Sequence, residues 1–350
     1  MRILVIGGTV FVGPAVVREL VVSGHDVAVF HRGEHEIALP DVEHIHGDRG
    51  RLGEYRDAIA AFRPDTVVDM RAMTQRDAQA ALEALRGIAP RIVAISSMDV
   101  YRAYGRLHGS EPGPLEPMPL TEDSPLRDRL YPYREHTPAS IGQRPPWLDD
   151  YDKILVERAA LGDGEIVGTV IRFPMVHGER DAQRRFYWLF KRLADRRPAI
   201  LLSEGEAAFR SSRTYVDNAA HAVALAATDE RAAGRTYNVG EPDTLDTLAW
   251  AREIAALTDW RGELVVIPSG QLPAHLRDAR PDFYAQHLVA DTSRIREELG
   301  YREVVSRTEG LRRAIDWYAS EPPADPATAA KLDYPAEDAA LVTIRASAVH

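Results

Sequence analysis

The chain has 350 residues, 45% hydrophobic and 27% charged, an ordinary globular composition with enough apolar material for a sizeable core. A formal net charge of −10 counts against non-specific binding to nucleic acid or membranes, which works through basic surface, so an anionic ligand has to be met by local arginines. The absence of cysteine excludes disulfides, thiol nucleophiles and thiolate metal sites, and no apolar run approaches the roughly 18 residues of a membrane helix; a soluble cytoplasmic protein is expected.

The N-terminal "RILVIGG" is an apolar run that enters a glycine turn with no leader-like segment before it, and "FVGPAVVRELVVSG" has helical spacing that closes at Gly24. The alternation continues through "DVAVFHRG", "VEHIHGD", the helical "LGEYRDAIAAF", "DTVVDM", the helical "RDAQAALEALRG" and "RIVAISS". Short β-rich runs alternating with helices predict an α/β doubly wound parallel sheet whose ligands lie at the carboxyl ends of its strands. Residues 105–146 are rich in proline and too long for a simple connection, which predicts a loop over the active site. A helix over 151–160 and a strand at "EIVGTVIRF" follow, and the second half is more mixed. The expected organisation is a dinucleotide-binding domain over 1–174, a smaller mixed substrate lobe over 175–320 with segments returning to the first domain, and an extended tail over 321–350.

"GGTVFVG" sets Gly7, Gly8 and Gly13 between the first strand and first helix, where backbone amides and a helix N-terminus receive a pyrophosphate. In that position the chain resembles the extended short-chain dehydrogenase/reductases, the NAD(P)-dependent epimerase/dehydratase family with its Rossmann-type fold. Val10 stands where the family's G-x-x-G-x-x-G pattern has its middle glycine. The resemblance implies that Thr9, Phe11 and Val12 of the turn, Asp48 after the third strand, and Arg71 and Ala72 after the fourth lie beside the cofactor. Where NAD enzymes place a ribose-binding acid, "VFHRG" offers Arg32, and a guanidinium suits a 2′-phosphate. NADP is therefore favoured, with NAD possible.

"ISSMDVY" resembles the family's S-S-x-x-V-Y, implying that Ser97 orients the substrate oxygen and that Asp99 stands where the dehydratase branch carries its carboxylate. As a bare strand-end aspartate, Asp99 serves equally as a loop cap. The family's Y-x-x-x-K places tyrosine and lysine on one helix face. Here Lys153 precedes Glu157 by four residues as the pattern asks, but Asp149 occupies the tyrosine position and Tyr151 lies two residues from the lysine, across a regular helix. Three accounts stay open: Tyr151 reaches the site from a distorted first turn, Asp149 replaces it as acid/base, or the protein binds the dinucleotide without redox chemistry.

Further on, "FRSSRTYVDNAAHAVALA" and "RPDFYAQHLVADTSRIREELGY" resemble family segments that imply Arg210 and Arg280, with Arg213 beside them, as ligands for a substrate diphosphate. Met175 occupies a position often held by a nucleotide-sugar-binding asparagine. His44 and His46 alternate near His25, His31 and His35, but no matching acid cluster accompanies them in sequence, so no metal site is expected. The expected function is an epimerase, dehydratase or reductase acting by hydride transfer on a nucleotide sugar or related hydroxy/keto compound, as a homodimer. The alternative is a catalytically altered dinucleotide-binding protein, a sensor or RNA-associated member of the same fold.

Overall fold

The computed structural model describes residues 1–134 and 144–347; positions 135–143 of the proline-rich loop lie outside the described residues. The strands are β1 (Arg2–Ile6), β2 (Asp26–His31), β3 (Val42–His46), β4 (Thr66–Asp69), β5 (Arg91–Ser97), β6 (Val167–Phe173), β7 (Met175–His177), β8 (Ala199–Ser203), β9 (Arg213–Tyr215), β10 (Thr236–Asn238) and β11 (Glu263–Ile267). Among the described residues, seven of them form one parallel sheet in the order β10-β6-β5-β4-β1-β2-β3. The order reverses between β1 and β4, so the crevice that binds ligands in such sheets opens at their carboxyl ends.

Strand periodicity explains how the sheet is covered. Ile3 and Val5 of β1 enter one apolar cluster with Val27 and Val29, while Leu4 and Ile6 enter the opposite one with Ala28 and Phe30. The helix Val12–Val22 packs its Val16, Val17 and Leu20 with Ala219 and Val223 of the helix Val216–Thr228. The chain thus returns to the seven-stranded sheet twice after residue 174, through that helix and through β10. Apart from that sheet lie the parallel pair β8 and β11 and a second apolar core of Phe186, Tyr187, Trp250, Trp317 and Tyr318.

Two expectations change. The segment after 320 is not extended: it forms the helices Pro326–Ala329 and Tyr334–Ser347, and Ala330 and Leu341 are buried. Its Glu337 makes a buried ion pair with Arg192, a partnership across sequence that no local pattern signals. The helix expected over 151–160 begins instead at Lys153, preceded by a 3-10 turn over Pro146–Asp150. Tyr151 is extended (φ −61°, ψ 121°), and Asp152 caps the helix by accepting from the Ile154 amide at 2.8 Å.

Candidate active site

The glycine turn closes tightly under the first helix. Gly7 has φ +79°, and a Cβ at Gly13 would lie 2.5 Å from the Gly8 carbonyl carbon, so Gly8 and Gly13 let the turn and helix touch. Phe11 at the N-cap makes no side-chain bond to the first amides of that helix. Above the turn is a cavity of about 660 Å³ whose wall includes Gly7, Thr9, Phe11, Val12, Arg32, Asp48, Arg71, Ser97 and Lys153, with Val10 at its rim. Arg32 is exposed and paired with Glu34 at 2.8 Å, while Asp48 accepts from the Gly50 amide at 2.8 Å. Arg71 lies over the Trp147 ring, 5.5 Å from its centroid. A tight glycine turn, a helix N-terminus and flanking guanidiniums fit an extended dinucleotide.

Lys153 is buried and donates from Nζ to the carbonyls of Ala72 (2.6 Å) and Ile95 (2.9 Å). Burial pushes its ammonium down to about 8, against the pull of Asp99 and Asp69. Below it, Glu157 accepts from the Ser96 hydroxyl at 2.6 Å and pairs with buried Arg172 at 2.7 Å, which ties the Lys153 helix to β5 and β6.

A second cavity of about 540 Å³ shares Ser97, Trp147 and Lys153 with the first and is also lined by Asp99 and Tyr151. The break before the helix decides the position of Tyr151. Residues 151 and 152 are pinned by the Thr74 bridge and by the Asp152 amide donating to the Met73 carbonyl at 3.1 Å, which turns the phenol inward. The Tyr151 hydroxyl donates to Asp99 Oδ2 at 2.8 Å, and its ring centroid lies 6.0 Å from Lys153 Nζ. Asp149 is not brought in: the 3-10 turn faces it outward, 54% exposed and paired with Arg144.

Asp99 is the centre of a hydrogen-bonded group that sequence spacing does not reveal. Tyr133 also donates to its Oδ2, at 3.1 Å, and the Tyr133 and Tyr104 hydroxyls lie 3.0 Å apart. Among the described residues its buried Oδ1 has no hydrogen-bond partner. Burial pushes the Asp99 carboxyl above its usual range, opposed chiefly by the charge of Arg127. Burial and the neighbouring carboxylate hold the Tyr151 phenol well above its ordinary value. The arrangement suits a proton passed between Tyr151 and Asp99 at a water-poor centre. Ser97 Oγ accepts from the Asp99 amide at 3.2 Å and caps the short turn that presents the carboxylate. Tyr133 falls in the proline-rich segment and Trp147 directly follows it, and "YPY" and "RPPW" are the available signal.

The three arginines expected to hold a diphosphate do not line these cavities. Arg210 donates to the Thr244 carbonyl at 3.1 Å. Arg213 is sandwiched near Phe186 and Trp250 (4.7 and 5.5 Å to their centroids), and Arg280 donates to the Leu107 carbonyl at 2.6 Å. Each joins segments distant in sequence, because its guanidinium meets carbonyls or rings from other parts of the chain. A third cavity, about 800 Å³ and sharing Tyr104, Tyr133 and Arg185 with the second, has Arg129, Arg184 and Arg277 on its wall instead.

A family model for the NAD dependent epimerase/dehydratase family matches residues 3–133. The 2'-dehydrokanamycin reductase of Streptomyces kanamyceticus is 30% identical over 245 residues, which are 67% of this chain and 60% of that enzyme's length. The UDP-N-acetyl-alpha-D-glucosaminuronate decarboxylase of Bacillus cytotoxicus is 22% identical over 91% of this chain and 97% of that one. An epimerase structure from Methanothermobacter thermautotrophicus shares the fold, with TM-score 0.66 and 20% identity over 91% of this chain and 92% of that one.

Proposed function

Because the chain belongs to the NAD-dependent epimerase/dehydratase family, we propose that it moves hydride at a hydroxy or keto carbon of a nucleotide sugar or related ring. The observation that carries this reading is the meeting of Ser97, Asp99, Tyr151 and Lys153 where the first two cavities join. A nicotinamide dinucleotide, when bound, supplies or accepts the hydride. The glycine turn would hold its pyrophosphate, Arg32 and Asp48 its adenosine end, and Lys153 its ribose. NADP is favoured over NAD by Arg32.

Ser97 orients the substrate oxygen, and Tyr151 rather than Asp149 gives or takes its proton, with Asp99 exchanging that proton in turn. A phenol held well above its ordinary value is a weaker acid that stays protonated, and it still donates readily to an oxygen taking on alkoxide charge, which is a far stronger base. Carbonyl reduction is the direction in which a protonated phenol serves, and the 2'-dehydrokanamycin reductase among the relatives is a reductase by name. Arg129, Arg184 and Arg277 supply the positive wall that a nucleotide diphosphate requires. As a homodimer, the protein would pair the helices Gln75–Leu85 and Lys153–Gly162 across a two-fold axis.

The test is NADPH consumption over a panel of keto sugars with and without a nucleotide, each at matched concentration. Turnover of nucleotide-bearing ketones supports the full reading, and turnover confined to nucleotide-free ketones removes the diphosphate assignment. NADPH binding with no turnover across the panel favours the binding-only alternative.

A further inference from the structure

A separate group of donors lies at the carboxyl ends of β2 and β3. His31 and His46 are register partners, and His44, two residues earlier on β3, projects from the same face. The loop after β2 brings Glu36 over them, supplying the acid that sequence spacing lacks. His44 Nδ1 lies 3.0 Å from Glu36 Oε2 and His46 Nε2 lies 2.9 Å from Glu36 Oε1. His31 Nε2 is 2.8 Å from His44 Nδ1 and 3.9 Å from Glu36 Oε2. One ligand atom from each of the four residues lies within 4.8 Å of the other three.

Hydrogen bonds among these groups do not close on themselves. The Gly33 amide donates to His31 Nδ1 at 3.1 Å, so a neutral His31 carries its proton on Nε2 and donates it to His44 Nδ1. The same His44 nitrogen then faces the Glu36 carboxylate as acceptor against acceptor at 3.0 Å. Placing a proton on His44 Nδ1 satisfies Glu36 but sets two N–H groups against each other across 2.8 Å. A cation between His44, His46 and Glu36 removes the conflict.

We propose that His44 Nδ1, His46 Nε2 and the Glu36 carboxylate bind one divalent transition-metal ion of the zinc type. Two imidazoles and a carboxylate suit zinc, whereas magnesium and calcium take oxygen ligands. The fourth position is left for water, and His31 Nε2–H acts as a positioning donor toward that water or the Glu36 carboxylate. Since His31 and Arg32 line the dinucleotide cavity, the ion clips the loop at its adenosine end to β3. This site is independent of the hydride chemistry proposed above.

The experiment is calorimetric titration of the full chain, stripped of metal by a chelator, with Zn²⁺ alone. One site per chain is expected, weakened roughly tenfold or more in Glu36→Gln and in His44→Ala. The Glu36 side chain is 53% exposed, so Glu36→Gln leaves the core intact, and an unchanged circular-dichroism spectrum of the metal-free variant confirms its fold. At one Zn²⁺ concentration the melting temperature of the unmodified protein should rise by more than that of Glu36→Gln. Unchanged Zn²⁺ affinity in both variants, or no saturable Zn²⁺ binding by the unmodified chain, overturns the proposal.

Discussion

The Tyr151 hydroxyl donates to Asp99 Oδ2 at 2.8 Å across a sequence separation of 52 residues. This contact joins the turn after β5 to the segment that leads into the Lys153 helix, and it couples the two groups proposed to hold the proton. Their shifts follow from the same cause, since burial disfavours both the carboxylate and the phenolate.

Removal of the buried charge should show in stability. The folded Asp99 carboxyl titrates above its ordinary value of 3.8 because it is buried. Its contribution to folding is therefore full below that value and is lost as pH rises through the folded pKa. Asp99→Asn should melt progressively higher relative to the unmodified protein as pH is raised from about 4 toward neutrality. Calorimetric melts across that range check the sign; a gap that shrinks with rising pH would contradict it.

Arg32 should set the choice between the two dinucleotides. Unmodified protein should bind NADPH more tightly than NADH, and Arg32→Ala should narrow the ratio by about 1 kcal/mol, or roughly fivefold, the modest figure reflecting an exposed guanidinium. Fluorescence titration with both cofactors measures it. Equal affinities in the unmodified protein remove the argument.

The C-terminal helices should contribute to global stability. Arg192 and Glu337 side chains are 1% and 2% exposed, so Glu337→Ala leaves a buried guanidinium without its counter-ion, held only by the carbonyls of Trp188, Ala330 and Lys331. A loss of about 3–5 kcal/mol is expected in urea unfolding. A change within error would mean that the tail docks without carrying load.

The features legible in the sequence are those whose causes are local. The alternation of "RILVIGG" with a helical run, and the glycines that permit a close turn, reflect backbone and periodicity constraints that act within a few residues. What escaped depends on distance or on backbone breaks. Tyr151 faces Lys153's side of the site because φ and ψ leave the helix between 3-10 turn and cap, the distorted first turn that sequence left open as one of three accounts and that no count at 3.6 residues per turn can decide. Glu36 reaches the histidines, and Glu337 reaches Arg192, through loop closure and docking. Arg210, Arg213 and Arg280 match family segments in order, but residue type alone does not say whether a guanidinium faces a cavity or a carbonyl.

The central claim is tested most directly by comparing Tyr151→Phe with Asp149→Asn in steady-state NADPH turnover of a substrate proven with the unmodified protein. Tyr151→Phe should bind NADPH normally yet lose roughly a hundredfold or more in kcat, the contribution of a positioned acid, while Asp149→Asn changes it little. A Tyr151→Phe enzyme that keeps its kcat, or an Asp149→Asn enzyme that loses it, would contradict the assignment of the proton to the Tyr151–Asp99 pair.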